Sequence, residues 1–162
     1  MTKPTEEKIE EKWLPINLGK INNMGKKYAK DFVKYPNSKI VKEWIEDGIK
    51  IVILACRGSH FTAYFGIPKD HPLAGFDYDD IPLKIHGGLT YGREGSKIFP
   101  TGYFFYGWDY AHLGDRVFIE GLGFNSDEDE HEWTLEEVET EAKDALYDFK
   151  KLVRLAEMIK NK

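Results

Sequence analysis

The longest periodic pattern of apolar residues lies in the last third of the chain. Thr134 and Glu137 form a capping box, which marks the start of a helix. The apolar positions then recur at steps of three and four, at Leu135, Val138, Ala142, Ala145, Phe149, Leu152, Ala156 and Ile159. This spacing predicts a long amphipathic helix over 134–160. Its apolar stripe either packs on a sheet or pairs with a second copy of the chain as a coiled coil through 135–159.

Two shorter helical patterns precede residue 49. The first has its apolar positions at Met24, Tyr28, Phe32 and Tyr35 and ends before Pro36. The second covers SKIVKEWIEDG, with Ser38 as its cap and Gly48 as its left-handed terminator. Both patterns predict helices within 22–48, after a charged segment, 1–12, that is a tail or a frayed helix.

The middle of the chain has the patterns of strands. Residues 49–57 and 60–68 are apolar and β-branched, and they predict a hairpin that turns at Arg57-Gly58-Ser59. The run 103–108 is apolar at successive positions, which is typical of a central strand covered on both faces. Residues 83–92 predict a short strand broken by two glycines, and 116–124 predict one more short strand or an irregular excursion.

These elements favour an α+β fold. We expect a mostly antiparallel sheet of about 4–5 strands, two N-terminal helices and a long C-terminal amphipathic helix. A chain of 162 residues is typical of one domain, 1–162, with the sheet and its site loops within 49–125.

Composition and charge narrow the functional classes. The formal net charge is −5 and the pI is about 5.6, so binding to a nucleic-acid backbone is unlikely as the main function. The single cysteine, Cys56, predicts a reducing compartment, and no apolar run reaches about 18 residues. We therefore expect a cytoplasmic protein that has no membrane partner. The acidic run 127–132 is typical of a solvated loop.

One candidate for chemistry is the segment IHGGLTYG, residues 85–92. His86 is followed by Gly87 and Gly88, which lack side chains at a point where another backbone or a ligand comes close. Thr90 and Tyr91 add hydroxyls. A histidine beside bare backbone amides suits an anion or oxyanion site; the alternative is a structural histidine at the end of a strand.

The other candidate is the segment GWDYAHLGD, residues 107–115. Its structural interpretation is that Asp109 caps a single helical turn, 110–113, closed by Gly114. Asp109 and His112 then share one face. A carboxylate against an imidazole fixes the tautomer and raises the basicity, which both a general base and a metal ligand use.

Three motifs in order carry a resemblance to a known group of proteins. HPLAGFDYDD, HGGLTYG and GWDYAHLGD together resemble a family of small uncharacterised proteins of bacteriophages and prophages. The resemblance covers roughly residues 50–116 and implies a phage or prophage association, and thus the host-cell cytoplasm, but no activity. The family has Phe and Cys where this chain has Trp108 and Tyr110, so a thiol role at that position is missing here.

The enzyme hypothesis places the catalytic groups at one end of the sheet, namely His86, Asp109, His112 and Asp115. Such a pocket suits a hydrolase acting on a small polar or phosphate-bearing substrate, either without a metal or with a divalent metal on His86, His112 and Asp109. The expected substrate-binding residues are Gly87, Gly88, Thr90, Tyr91, Trp108 and Arg57.

Two other classes of function stay open. A non-catalytic binding protein would use the same pocket to sequester a host protein or a small signalling ligand. In that case aromatic residues such as Trp108 would stack on the ligand, whereas their alternative role is core packing. An interaction protein would instead form a homo-oligomer through the helix at 135–159.

Overall fold

A computed structural model describes residues 38–56, 60–112, 114–119, 123–124 and 130–160. Within these residues, five strands form one antiparallel sheet in the order β1-β2-β3-β5-β4. They are β1 (Lys39–Glu46), β2 (Ile49–Cys56), β3 (His60–Pro68), β4 (Tyr91–Glu94) and β5 (Tyr103–Asp109). Two short strands, β6 (Phe118–Ile119) and β7 (Gly123–Phe124), pair separately, and the helix α1 (Leu135–Lys160) ends the described chain. The predicted α+β class, the antiparallel sheet and the C-terminal helix are confirmed.

The segment 38–48 was predicted as a helix, and that prediction is wrong. It forms the edge strand β1 and turns into β2 through Asp47 and Gly48, whose φ angles are +51° and +77°. Two central residues with positive φ are typical of the two-residue hairpin turn that Asp-Gly favours. The apolar positions of β1, Ile40, Val41, Trp44 and Ile45, have helical spacing, and a β-bulge between Ile40 and Lys42 interrupts the alternation of the strand. The turn therefore decides the structure. The other predicted helix, with Met24 and Phe32, lies outside the described residues.

The two faces of the sheet bury different residues. On one face Ile51, Ile53 and Phe65 pack under α1, and on the other Val52 and Leu54 form a second cluster. Because alternate residues of a strand point to opposite faces, the unbroken apolar runs of β2, β3 and β5 follow from burial on both sides. The hairpin of β2 and β3 and the interior position of β5 are as predicted. The turn at 57–59 lies outside the described residues.

The helix α1 begins at the predicted capping box. The hydroxyl of Thr134 accepts a hydrogen bond from the Glu137 N–H at 3.2 Å, and the Glu137 carboxylate accepts one from the Thr134 N–H at 2.9 Å. The buried residues of the helix are Val138, Ala142, Ala145, Leu146, Phe149 and Val153. The stripe therefore packs on the sheet, which was one of its two predicted roles. In the described part of the chain, no helix is long and apolar enough to cross a membrane.

The strand predicted at 83–92 is shorter than expected. Only Tyr91–Glu94 forms β4, whereas 82–90 is a loop that crosses the end of the sheet. The reason is the turn around Gly87 and Gly88, whose φ angles of +68° and +77° do not fit a strand. The segment 116–124 was predicted as one short strand or an irregular excursion, and it contains two short strands, β6 and β7, that pair with each other.

Candidate functional site

The predicted site segments meet where β5 ends. Asp109 is the last residue of β5 and pairs with Thr62 of β3, and the N–H of Tyr110 still donates to the carbonyl of Phe61. Beyond this point the chain leaves the sheet, and 110–116 runs beside the loop 82–90 and the segment leading into α1. The backbone of His131, which lies in the segment leading into α1, bonds to both Gly114 and Arg116. These hydrogen bonds join that segment to 110–116.

A single helical turn at 110–113 was predicted, and the described residues show none. Asp109 instead accepts a hydrogen bond from the Ala111 N–H at 3.0 Å, an Asx turn that bends the chain out of the strand. A tight turn follows, in which the Asp115 N–H donates to the His112 carbonyl and Gly114 has a φ of +96°. Gly114 therefore has the positive φ that was expected, but it lies in a loop turn and not at the end of a helix.

His86 is presented by a turn that requires glycine. The Gly88 N–H donates to the Ile85 carbonyl at 2.8 Å, and Gly87 at the third position has a φ of +68°, as in a type II turn. The ring of His112 lies directly over Gly87. A Cβ at Gly87 would come within 2.3 Å of the His112 ring, whereas a Cβ at Gly88 would meet nothing within 4 Å. The close approach that the two glycines predicted is therefore made by His112.

Asp115 is the buried centre of the site, with 2% of its surface exposed. The Nε2 of His86 lies 2.9 Å from each of its carboxylate oxygens. Trp133 donates from its indole Nε1 at 2.8 Å, and the backbone N–H of His112 donates at 2.9 Å. Burial alone would raise the pKa of Asp115, but these hydrogen bonds outweigh it and hold the pKa below its ordinary value. Asp115 is therefore an ionised carboxylate that fixes the His86 ring.

His112 lies beside His86 and between two carboxylates. The two rings are 5.6 Å apart and nearly perpendicular. The Nδ1 of His112 is 3.4 Å from an Asp109 oxygen and 3.6 Å from an Asp115 oxygen. Although this nitrogen is buried, it makes no hydrogen bond with any described residue, and 32% of the side chain is exposed. The exposed part of the ring is therefore not Nδ1.

Aromatic side chains form the floor under His86. The His86 ring stacks on Tyr110 at 4.8 Å and 8° and also contacts Trp133. Tyr110 is fully buried, accepts a hydrogen bond from the Trp108 indole and donates a short one to Glu141 of α1. These contacts connect the site to the helix and hold the imidazole in one orientation.

A groove of about 400 Å³ lies between the loop and α1, next to His86. Its lining residues are Lys84, Ile85, His86, Glu141, Asp144, Ala145 and Asp148. The three carboxylates come from successive turns of α1 and face a single lysine. The charged side chains that line the groove are therefore mainly negative.

The residues expected to bind substrate lie in different places. The hydroxyl of Thr90 donates to Asp109 at 3.2 Å, inside the cluster formed by His86, Asp109, His112 and Asp115. Tyr91 packs on Tyr64 and Phe99 on the other face of the sheet, away from His86. Trp108 is 1% exposed within the core, so its alternative role, core packing, fits its position. Arg57 lies outside the described residues.

His60 is a further histidine near the cluster. It begins β3, and its charge interacts with Asp109, Asp115 and His112. Burial lowers the pKa of His60, and the two carboxylates offset only part of this effect. In the β2–β3 register, His60 pairs with Cys56.

Trp133 and Glu141 also belong to the surroundings of the site, although no sequence pattern predicted a role for either there. Tyr110 was noted only as the position where the resembled family has a cysteine. Trp133 directly precedes the helix cap at Thr134. Its position before a well-marked helix was the only signal for it, since nothing in the sequence relates residue 133 to residue 115.

Comparisons with known proteins give no family for the chain. It matches no protein-family model, and no curated protein or solved structure is significantly similar to it. The resemblance to phage and prophage proteins therefore stays a prediction, and any function must be argued from the site itself.

Proposed function

We propose that the protein is a hydrolase that activates water in the pocket of His86, His112, Asp109 and Asp115. The observation that supports this most is the convergence of two histidine–carboxylate pairs, with the two imidazole rings 5.6 Å apart. A carboxylate that holds an imidazole orients it and raises its basicity.

Two neighbouring imidazoles suit hydrolysis because the reaction needs two proton transfers. One histidine accepts a proton from the attacking water, and the other donates one to the leaving group. His86 and His112 are 24% and 32% exposed at their side chains, so both are accessible to a ligand, whereas Asp115 is not.

The groove beside His86 narrows the class of substrate. Its carboxylates, Glu141, Asp144 and Asp148, would repel a phosphate group. Of the two substrate classes expected from the sequence, a small polar substrate without phosphate is therefore favoured, with a neutral or positively charged end in the groove.

The test compares wild type with His86→Ala and His112→Ala on a panel of small chromogenic esters and amides. We expect turnover by wild type and a loss of about a hundredfold or more in each variant. His131→Gln is the matched control, because His131 is exposed and bonds to Glu137 outside the cluster. Absence of turnover on the whole panel, or equal turnover in all four proteins, would contradict the proposal.

A non-catalytic binding protein is the second candidate. The volume of the groove, about 400 Å³, is within the usual range for small-molecule sites. The same variants separate the two functions. Binding of a ligand that wild type does not convert, and that His86→Ala weakens, would favour the binding protein.

A further inference from the structure

The Nδ1 of His112 is a buried nitrogen without a hydrogen bond to any described residue. Buried polar atoms are nearly always hydrogen-bonded, and a buried one left unpaired destabilises the fold. Its nearest acceptors are the carboxylate oxygens of Asp109 and Asp115, at 3.4 and 3.6 Å. Those separations are too long for good hydrogen bonds but are typical of two atoms that bind the same metal ion.

We propose that His86 Nε2, His112 Nδ1 and a carboxylate oxygen of Asp115 bind one divalent transition metal ion, with Zn²⁺ as the best-fitting probe. Each of the three residues offers one ligand atom within 4.8 Å of the other two. Two ligands at the usual bond lengths of about 2.0–2.2 Å from a zinc ion are about 3.3 Å apart in a tetrahedral site. The observed separations from Asp115 are 2.9 Å to His86 and 3.6 Å to His112, so only small side-chain shifts are needed.

The assignment changes the carboxylate that the sequence suggested as a ligand. Asp109 accepts hydrogen bonds from Ala111 and Thr90, which hold it at the edge of the pocket. Asp115 instead lies between both imidazoles, and its position is fixed by the indole of Trp133. Groups that orient a metal ligand in this way are a regular part of metal sites.

Three protein ligands leave a fourth position for water, which is the arrangement of catalytic zinc sites. A metal ligand nitrogen must be unprotonated, so in the loaded site the proton of each neutral ring lies on the other nitrogen, Nδ1 of His86 and Nε2 of His112. In the loaded site the metal, instead of an imidazole, activates the water, and Asp109 is the nearby carboxylate that accepts the proton. This catalytic consequence rests on the proposed hydrolase function, whereas binding of the metal does not.

The test is a titration of the chelator-treated full chain with Zn²⁺ alone, followed by calorimetry, in parallel with Co²⁺ followed by its visible absorption. We expect one ion per chain, and no comparable binding of Mg²⁺, which prefers oxygen ligands. His112→Ala and His86→Ala should weaken the affinity by about a hundredfold or more, and Trp133→Phe by about tenfold. His131→Gln should bind as wild type does, and circular dichroism shows whether each variant is folded.

Two results would overturn the metal site: no saturable binding of Zn²⁺ or Co²⁺ by wild type, or equal affinities in His112→Ala and His131→Gln. The outcome is separable from that of the hydrolase proposal. Metal binding without turnover contradicts the hydrolase alone, turnover without metal binding contradicts the metal site alone, and turnover that persists unchanged in chelator contradicts the catalytic role of the metal.

Discussion

At the scale of single residues, Gly87 and Gly88 form a natural matched pair. Both have positive φ, so alanine at either position carries a backbone cost of about 1 kcal/mol. Only at Gly87 would the new Cβ also collide with the His112 ring, at 2.3 Å. We therefore expect Gly87→Ala to lose about 2–4 kcal/mol of unfolding free energy in urea, and Gly88→Ala about 1 kcal/mol. Equal losses would show that the ring of His112 does not lie over Gly87.

Asp115 should make the stability of the metal-free protein depend on pH. Its pKa is lower in the folded protein than in the unfolded chain, despite burial, because His86, His112 and Trp133 donate hydrogen bonds to the carboxylate. The fold thus favours the ionised form. That stabilisation is complete above about pH 4 and is lost as the pH falls through the lower, folded-state pKa.

Asp115→Asn removes this contribution. At neutral pH we expect a loss of about 1–3 kcal/mol of unfolding free energy. The new amide nitrogen is a donor, and it must face the His86 ring, the indole of Trp133 or the His112 N–H, which are donors themselves. The difference from wild type should shrink below about pH 4. Asp109→Asn is the control, since its side chain is 28% exposed. Urea unfolding across pH measures both variants, and a difference that stays constant down to low pH would contradict the argument.

At the scale of elements, sequence patterns succeed where a residue's role depends on its neighbours along the chain. The capping box at Thr134 and the run of β2 specify their elements locally, and both are as predicted. The edge strand β1 was missed because its apolar residues have helical spacing and a β-bulge interrupts its alternation. The deciding signal, Asp47-Gly48 before another apolar run, was present and was interpreted as the end of a helix.

The start of α1 offers a direct test of local stabilisation. Thr134→Ala removes the hydroxyl that accepts the Glu137 N–H and should cost about 1 kcal/mol of unfolding free energy. Thr140→Ala is the matched control. Thr140 is exposed in the interior of α1, where alanine is the better helix former, so its loss should be near zero. Urea denaturation measures both, and equal effects would mean that the cap contributes little.

At the scale of the whole molecule, the sequence predicted which residues meet at the end of β5 better than it predicted which of them bond to each other. His86, Asp109, His112 and Asp115 were all named, because unusual residues beside glycines stand out. Their partners were not, since the contact of His86 with Asp115 spans 29 positions and depends on the register of the sheet. Trp133 reaches Asp115 only because the sheet and α1 bring residue 133 to the loop.

The exposed residues of α1 limit how two copies could associate through this helix. The central stripe of α1 is buried on the sheet, so a coiled coil through residues such as Ala142 and Phe149 would require the helix to leave its core. Exposed apolar side chains remain at the far end of the helix, where Leu155 and Ile159 are 52% and 66% exposed, close to Phe76 at 50%. Burial of these side chains between two copies would stabilise the contact.

We therefore expect any homo-oligomer through 135–159 to use this end of the helix. In sedimentation velocity, Ile159→Glu should remove the concentration dependence of the wild-type coefficient, because a carboxylate would be desolvated in the contact. Tyr147→Glu is the control, since Tyr147 is 65% exposed and does not line the groove near Phe76. Tight association that Ile159→Glu leaves intact would mean that another surface holds the copies together, and a wild type without concentration dependence would mean that the chain is monomeric.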